Sequence, residues 1–257
     1  MIDEPPVVDP TYLNARRAVI RAVPGHGAPR AIALFDPGSG DCHAMCGPAI
    51  ATGAAMLSDF DVLIGMNPRG MLEGLGLDPA RWRTVDIRPP VREIPFAPRS
   101  RPVPITAEML FRHTLGLAHR LVTDGQVRHH LASRMSKPFA IGLEDDATVL
   151  FLLYRYGALH RRVRVEHRGR ERFLPVDWTL PGEPTLDDIL AGAKSSGARV
   201  AMMFRPPEFG GGPPVPIECC IVDVSEADVT VDAKGKVLAI PRWRIDLAFL
   251  IDGRSDQ

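Results

Sequence analysis

Residues 148–176 read TVLFLLYRYGALHRRVRVEHRGRERFLPV, and how this stretch is folded decides what the chain can become. Apolar and polar residues alternate in Arg161–His167 and again in Arg170–Val176, with Arg168-Gly169 between them. Alternation of period two is the mark of a half-buried strand, and a short Gly-containing joint is the mark of a hairpin. From Thr148 the pattern, TVLFLLYRY over Thr148–Tyr156, is read as period two as well. The whole stretch therefore predicts consecutive antiparallel strands with one tight turn. Within it, Arg162 and Arg164 fall on one face and Val163 and Val165 on the other. The arginine face is a candidate ligand or interaction surface, although Glu166 and Glu171 dilute its charge.

Upstream, the chain changes character several times. Residues 1–11 form an acidic, proline-rich tail, and Ala31–Phe35 is an apolar strand stopped by a turn cluster. Pro48–Leu57 suits a helix, with Pro48 in its first turn, and Val62–Ile64 is a second short strand. Between Arg88 and Pro104 lie six prolines, which predict a linker or strap over residues 89–105. Thr106 then caps a helix that should run to Asp124-Gly125, followed by a helical stretch at Gln126–Met135. Thr185 with Asp188 three residues on forms a capping box for a helix at Thr185–Ala193. Strands return at Arg199–Phe204, Ile217–Val222, Val229–Val231, Val237–Ile240 and Ile245–Ile251. The expected class is mixed α+β: an N-terminal α/β region over residues 1–88, the strap, helices and a hairpin over 106–197, and a small antiparallel β-barrel over 198–257.

Composition narrows the functional classes. The chain has 257 residues, and Lys+Arg and Asp+Glu are equal at 31 each. A protein that lives on nucleic acid normally carries a basic field to meet phosphates, so nucleic acid is disfavoured as a partner. The longest apolar run, Val149–Leu153, is far short of the ~20 residues a membrane helix needs. Four cysteines, paired as Cys42/Cys46 and Cys219/Cys220, do not make a disulfide framework. With no basic and apolar leader pattern at the N-terminus, the expected compartment is the cytoplasm.

The stretch PIECCIVDVSEADVTV at residues 216–231, followed by LAIPRWRIDLAFLIDG at 238–253, resembles a PilZ domain over about residues 198–253. Asp223-Val224-Ser225 matches the start of that family's turn motif, with Asp228 where the family carries glycine. Ile240-Pro241 and the alternating Ile245, Leu247, Phe249 and Ile251 match its later strand. The resemblance implies a small bacterial β-barrel of a kind tied to cyclic di-GMP signalling, with Asp223, Ser225, Asp228 and the neighbouring Arg199 at its ligand or interaction surface. The family's paired-arginine motif is absent: Ala191–Ala198 offers only Lys194. Forked guanidinium contacts to phosphate need arginine, so a protein partner is expected there rather than cyclic di-GMP.

The stretch FDPGSGDCHAMCGP at residues 35–48 is the other concentration of chemistry. It predicts a strand, a glycine turn and a helix. Cys42, His43 and Cys46 could supply soft donors for zinc or copper, needing a fourth ligand such as Cys219 or Cys220. Cys46 near a helix start could carry a favoured thiolate. Asp36-Pro37-Gly38-Ser39 and Val62–Asn67 also resemble the catalytic turn and bracing strand of retropepsin-like aspartic peptidases, which implies Asp36 as a catalytic carboxylate paired with a second. No catalytic set is complete in the sequence, and no cofactor is demanded by it. Gly210-Gly211-Gly212, followed by two prolines, is a loop and not a phosphate cradle. The reading that results is a non-enzymatic regulatory or assembly protein, with a metal- or thiol-dependent enzyme centred on Asp36–Cys46 as the alternative.

Overall fold

Thr148–His160 is helix, not strand. The computed structural model describes residues 15–25, 28–89, 91–98, 100–133, 137–205 and 214–251; the N-terminal tail and the Gly210–Gly212 loop lie outside them. In order, the chain forms β1 (Arg17–Val23), β2 (Ala31–Phe35), β3 (Cys42–Cys46), α1 (Ile50–Met56), β4 (Val62–Gly65), α2 (Pro68–Gly74) and β5 (Arg83–Asp86). The strap contributes β6 (Glu93–Ile94) and β7 (Val103–Pro104), and is followed by α3 (Ala107–Leu115), α4 (Asp124–Ser133) and α5 (Lys137–His160). The hairpin β8 (Arg162–His167) and β9 (Arg170–Pro175) precedes α6 (Leu186–Ser196). The last strands are β10 (Arg199–Phe204), β11 (Val215–Val224), β12 (Asp228–Ala233), β13 (Lys236–Pro241) and β14 (Ile245–Ile251).

The 24-residue α5 explains why its own pattern misleads. It packs on β1, β2 and β3, on α3, on β8 and on β14, so apolar residues occur nearly all round it. A helix buried on several sides loses the one-sided stripe that betrays an amphipathic helix. Its buried positions still step at helical spacing: Leu143, Ala147, Leu150 and Tyr154 on one line, Asp146, Val149, Leu153 and Tyr156 on the next. The hairpin expectation holds at β8–β9, where Arg162 faces Pro175 and His167 faces Arg170.

The N-terminal sheet has the order β3-β2-β1-β4-β5. β1 to β3 form an antiparallel meander, while β4 lies parallel to β1 and β5 parallel to β4. One face carries Ala18, Ile20, Leu34 and Leu63 against Leu57, Met71, Leu72 and Trp82. The other carries Val23, Ala31, Ala33, Cys42, Ala44 and Cys46 against Val127, Leu143 and Ala147. The result is three layers. The core against α5 also takes in Phe96 of the strap, Leu110 and Phe111 of α3 and Val163 and Val165 of β8, so the strap lies across a continuous core.

One helix boundary differs from expectation for a local reason. The helix at Thr106 does begin there, with the Thr106 hydroxyl accepting from the Met109 amide at 3.2 Å, but it ends at Gly116 instead of Asp124. Gly116 adopts φ 68°, a left-handed conformation that glycine enters without cost and that commonly closes helices. Residues 117–123 then run as a loop held by a buried carboxylate. Asp146 of α5 has no solvent exposure, and it accepts from Arg21 Nε of β1 at 3.1 Å, from the Val122 amide at 2.9 Å, and meets His119 Nε2 at 2.7 Å.

The C-terminal sheet has the order β13-β12-β11-β10-β14, every neighbouring pair antiparallel. It is an open sheet, which corrects the expected barrel: β13 and β14 lie at its two edges. Its inner face (Val200, Met202, Cys219, Val229, Val231, Ile240, Ile245 and Ala248) packs on Leu186, Ile189, Leu190 and Ala193 of α6 and Leu159 of α5. Helices thus supply the apolar cover that a closing barrel wall would have given. α6 itself starts as expected, with both halves of the Thr185–Asp188 capping box formed. The sheet is tied to α5 by Tyr156, whose hydroxyl donates to the Trp243 carbonyl at 2.9 Å, and by His160, whose Nε2 donates to the Ile245 carbonyl at 2.6 Å.

Replacing Asp146 by alanine strands Arg21 and His119 beside a cavity, and loss of one partner of a buried ion pair costs ~3–5 kcal/mol. Urea unfolding of Asp146→Ala against wild type measures this, and Asp146→Asn, which keeps acceptor oxygen, should lose less. His160 gives a pH signature. Burial pushes it down to about 4, aided by Arg162 and Arg242 and opposed by the Ile245 carbonyl and Asp187. The unfolded chain takes up this proton near pH ~6.5 and the fold does not, so the contribution is complete above ~6.5 and is lost as pH falls towards 4, by ~3 kcal/mol in all. His160→Gln, keeping an amide donor for Ile245, should flatten that part of the stability–pH curve.

Candidate functional site

Asp36 closes a β-hairpin. The segment Asp36–Asp41 joins β2 to β3, whose register runs from Phe35 opposite Cys42 to Ala31 opposite Cys46. The expected strand–turn–helix is therefore a strand–turn–strand, with the helical turn starting only at Gly47. The Asp36 carboxylate accepts from the Gly38 amide at 2.8 Å, its carbonyl accepts from the Gly40 amide at 2.8 Å, and Ser39 Oγ accepts from the Asp41 amide at 3.2 Å. An aspartate that bonds its own backbone two residues on is a turn-forming device. Arg16 pairs with it at 3.3 Å. The stretch compared with a peptidase bracing strand, Val62–Gly65, is β4, and β1 lies between it and β2. Asp36 is therefore occupied by its own turn.

Strand geometry also separates the three donors. Successive side chains of a strand point to opposite faces and rise ~3.3 Å per residue. Cys42 and Cys46 face α5 and are ~13 Å apart along β3 by that rise, while His43 is exposed on the other side. Cys219 is buried in the C-terminal sheet and Cys220 is exposed on its outer face. The structure does not bring these residues together, and among the described residues no group of three His, Cys, Asp or Glu is arranged to hold a metal ion. Burial, then the charge of Glu144, pushes the Cys42 thiol up to about 11, and burial does the same to Cys219. Neither is an activated thiolate.

The C-terminal turn is formed as its sequence suggests. Ser225 Oγ accepts from the Asp228 amide at 2.9 Å and the Ala227 amide at 3.3 Å, and the Ser225 amide donates to the Asp228 carbonyl at 2.9 Å. Asp223 binds Lys194 Nζ of α6 at 3.1 Å, and that hydrogen bond holds its carboxyl below the usual range. Arg199 pairs with Glu218 at 2.8 Å. Arg242 adds a residue that sequence reasoning missed: it donates to the Ser225 carbonyl at 3.2 Å and pairs with Asp187.

The hairpin arginines are less open than expected. Arg162 lies over the Phe173 ring at 4.8 Å, and Arg164 lies over Trp243 at 4.8 Å while pairing with Glu166 and Glu171. Arg244 meets the same indole at 4.6 Å. Guanidinium groups on an aromatic face fix the hairpin against the C-terminal sheet. Only the Arg-Trp-Arg run at 242–244 hinted at this junction in the sequence.

The outer face of the C-terminal sheet is what the register exposes. Opposite the helix-covered side, Met203 and Ala201 of β10 stand beside Leu247 and Phe249 of β14, and Cys220 of β11 stands beside Asp232 of β12, itself beside Val237 of β13. A register shift between Ile221 and Asp223 leaves Val222 outward. Phe249 and Val222 are each 50% exposed and Val237 is 67% exposed. Scattered exposed apolar residues are ordinary, and here several of them share one sheet face.

No protein-family model matches the chain, and no curated protein matches it. Among solved structures, a chain of the cryo-EM structure of the simian T-cell lymphotropic virus intasome in complex with PP2A regulatory subunit B56 gamma aligns over 92% of this chain and 81% of its own length. The identity is 11% and the TM-score 0.19. A score that low carries no argument about fold or function. No helix among the described residues is long and apolar enough to cross a membrane.

Proposed function

We propose that this chain is a non-enzymatic regulatory or assembly protein whose C-terminal sheet is its protein-binding element. The observation that carries the reading is the outer face of that sheet, where Met203, Val222, Val237 and Phe249 remain exposed across its strands while the inner face is covered by α6. The state of the chemical groups supports binding over catalysis. Asp36 is bound within its turn, Asp146 is saturated by donors, and the Cys42 and Cys219 thiols are held protonated. Asp232, Glu218 and Arg199, on the inner strands of the sheet, lie between these apolar residues on the same face, a mixture of polar and apolar groups common at interfaces between proteins.

Val237→Asp with Phe249→Asp places two charges on exposed positions, where the fold has little to lose. Wild type and this double variant are compared by sedimentation velocity and by cross-linking in the cell of origin. The variant should keep the wild-type melting temperature and lose the associations that wild type makes. Identical associations in both would overturn the proposal.

A second reading rests on one feature of the same module. A cleft of about 500 Å³ is lined by His160, Arg161, Arg162, Asp187, Asp188, Glu226 and Arg242 beside the Ser225 turn. Asp187 is paired with Arg242, and Asp188 is taken up by Thr185. Arg161 holds φ 50°, a conformation that costs a non-glycine residue of order 1 kcal/mol. Arg161 and Arg162, which follow α5, thus line the same cleft as Glu226 of the turn that the absent arginine motif would have served. Cyclic di-GMP is the ligand that the PilZ resemblance implies. Calorimetric titration of wild type and Arg161→Ala tests it: saturable heat that the variant abolishes supports the reading, and no heat from wild type ends it.

A further inference from the structure

A cleft of about 950 Å³ opens where the parallel strands β4 and β5 end. Met66 follows β4, Asp86 ends β5, Arg88 stands just before the proline-rich strap, and the strap supplies Pro89, Arg92 and Ile105 to the lining. Open sheets with parallel strands leave a crevice at their carboxyl ends, and ligands commonly occupy it. We propose that this cleft binds a small organic anion with an apolar body.

The geometry assigns the two parts of such a ligand to different walls. Met66, Ile105, Leu110, Val176 and Trp178 give the cleft its apolar lining. Leu110, Val176 and Trp178 are themselves packed in the main core, so these walls are preformed. The charged end is served by the strap. Asp86 accepts from Arg88 Nε at 2.9 Å and pairs with its terminal nitrogen as well, and it also accepts from the amides of Asn67 and Arg88 at 3.1 Å each. Burial works against ionisation of Asp86, but these donors outweigh it and hold the carboxyl below its usual range. Asp86 is thus a positioning residue: it fixes Arg88 at the mouth of the cleft with further N–H groups left to donate.

Arg92 stands close by for a backbone reason. Its carbonyl accepts from the Ile105 amide at 2.8 Å, and Glu93 pairs with Pro104 in the next register of the strap's own ladder. That closure sets an exposed guanidinium next to the apolar Ile105 wall. Asp177, the lining carboxylate outside the Asp86–Arg88 pair, comes from the segment after β9. Arg88 stands just before the strap and Arg92 within it, so both arginines lie on one side of the cleft and Asp177 comes from another segment. An elongated ligand with its anionic head toward the strap satisfies both ends, and the volume lies within the range of ~300–1,000 Å³ typical of small-molecule sites.

The probe is 1-anilinonaphthalene-8-sulfonate, titrated by fluorescence into the full chain, with N-phenyl-1-naphthylamine as its uncharged counterpart. Arg92→Glu should weaken sulfonate binding by about tenfold or more, the worth of one charge-assisted contact, and leave the neutral dye unaffected. Arg88→Met should act in the same direction. Arg92 is exposed, so Arg92→Glu keeps the test valid if Arg88→Met disturbs the fold. Decanoate and decyl phosphate, added as competitors, distinguish a carboxylate head from a phosphate head, and displacement by either supports the proposal. It is overturned if both arginine variants bind the sulfonate dye as wild type does, if neither competitor displaces it, or if only Val237→Asp/Phe249→Asp abolishes binding, which would put the dye on the outer sheet.

Discussion

A single buried carboxylate holds the N-terminal half together. Asp146 sits on α5 with no access to water, and an isolated charge in that position would be very costly. It is tolerated because three donors converge on it from β1 and from the loop after α3. The pairing works in both directions: Arg21 can lie between sheet and helix only because the carboxylate meets it there, and it donates onward to the Val122 carbonyl at 2.8 Å. The loop at 117–123 has little regular structure, so this network takes the place of a ladder in fixing it. A buried ion pair adds little net stability compared with apolar packing, but it specifies one arrangement.

From that point α5 acts as the spine of the whole molecule. In its last third, Tyr154 donates to Glu183 at 2.6 Å, and Glu183 pairs with Arg17 of β1 at 3.1 Å. At its end, Tyr156 and His160 reach carbonyls just before and at the start of β14, the last strand of the C-terminal sheet. Arg205 adds a crossing tie, pairing with Asp246 at 2.8 Å and donating to the Thr114 carbonyl of α3 at 3.2 Å. One rod therefore sets the position of the cleft at β4 and β5 and of the exposed face of the C-terminal sheet. Two surfaces tied to one helix keep a fixed relation to each other.

The features most conspicuous in the sequence turned out to serve the backbone. Asp36, Gly38 and Ser39 look like chemistry because turn residues and catalytic residues draw on the same small polar types. Their atoms are spent on closing a hairpin. Cys42, His43 and Cys46 looked like a cluster because they are neighbours in the chain, but alternation along a strand sends neighbours to opposite faces. The strap gains in standing instead. Read as a linker, its prolines signalled only the lack of regular structure, yet they hold two arginines at the edge of an apolar cleft.

Local patterns in the chain were sufficient for its short-range structure. Thr106 and Thr185 start helices, and alternation set the strands of the C-terminal sheet and the β8–β9 hairpin, while the left-handed glycines that end the helices, Gly116 and Gly197, were passed over. These depend on neighbouring residues, so they survive without knowledge of the fold. The tertiary structure alone decided three things. It made Thr148–His160 a helix, because burial on several sides erases the helical stripe. It left the C-terminal sheet open, because α6 and Leu159 cover the face a barrel would have closed over. And it gathered Arg21, His119 and Asp146 from positions up to 125 residues apart. The last cannot be read from sequence at all, since a charge becomes worth burying only where the fold brings its partners.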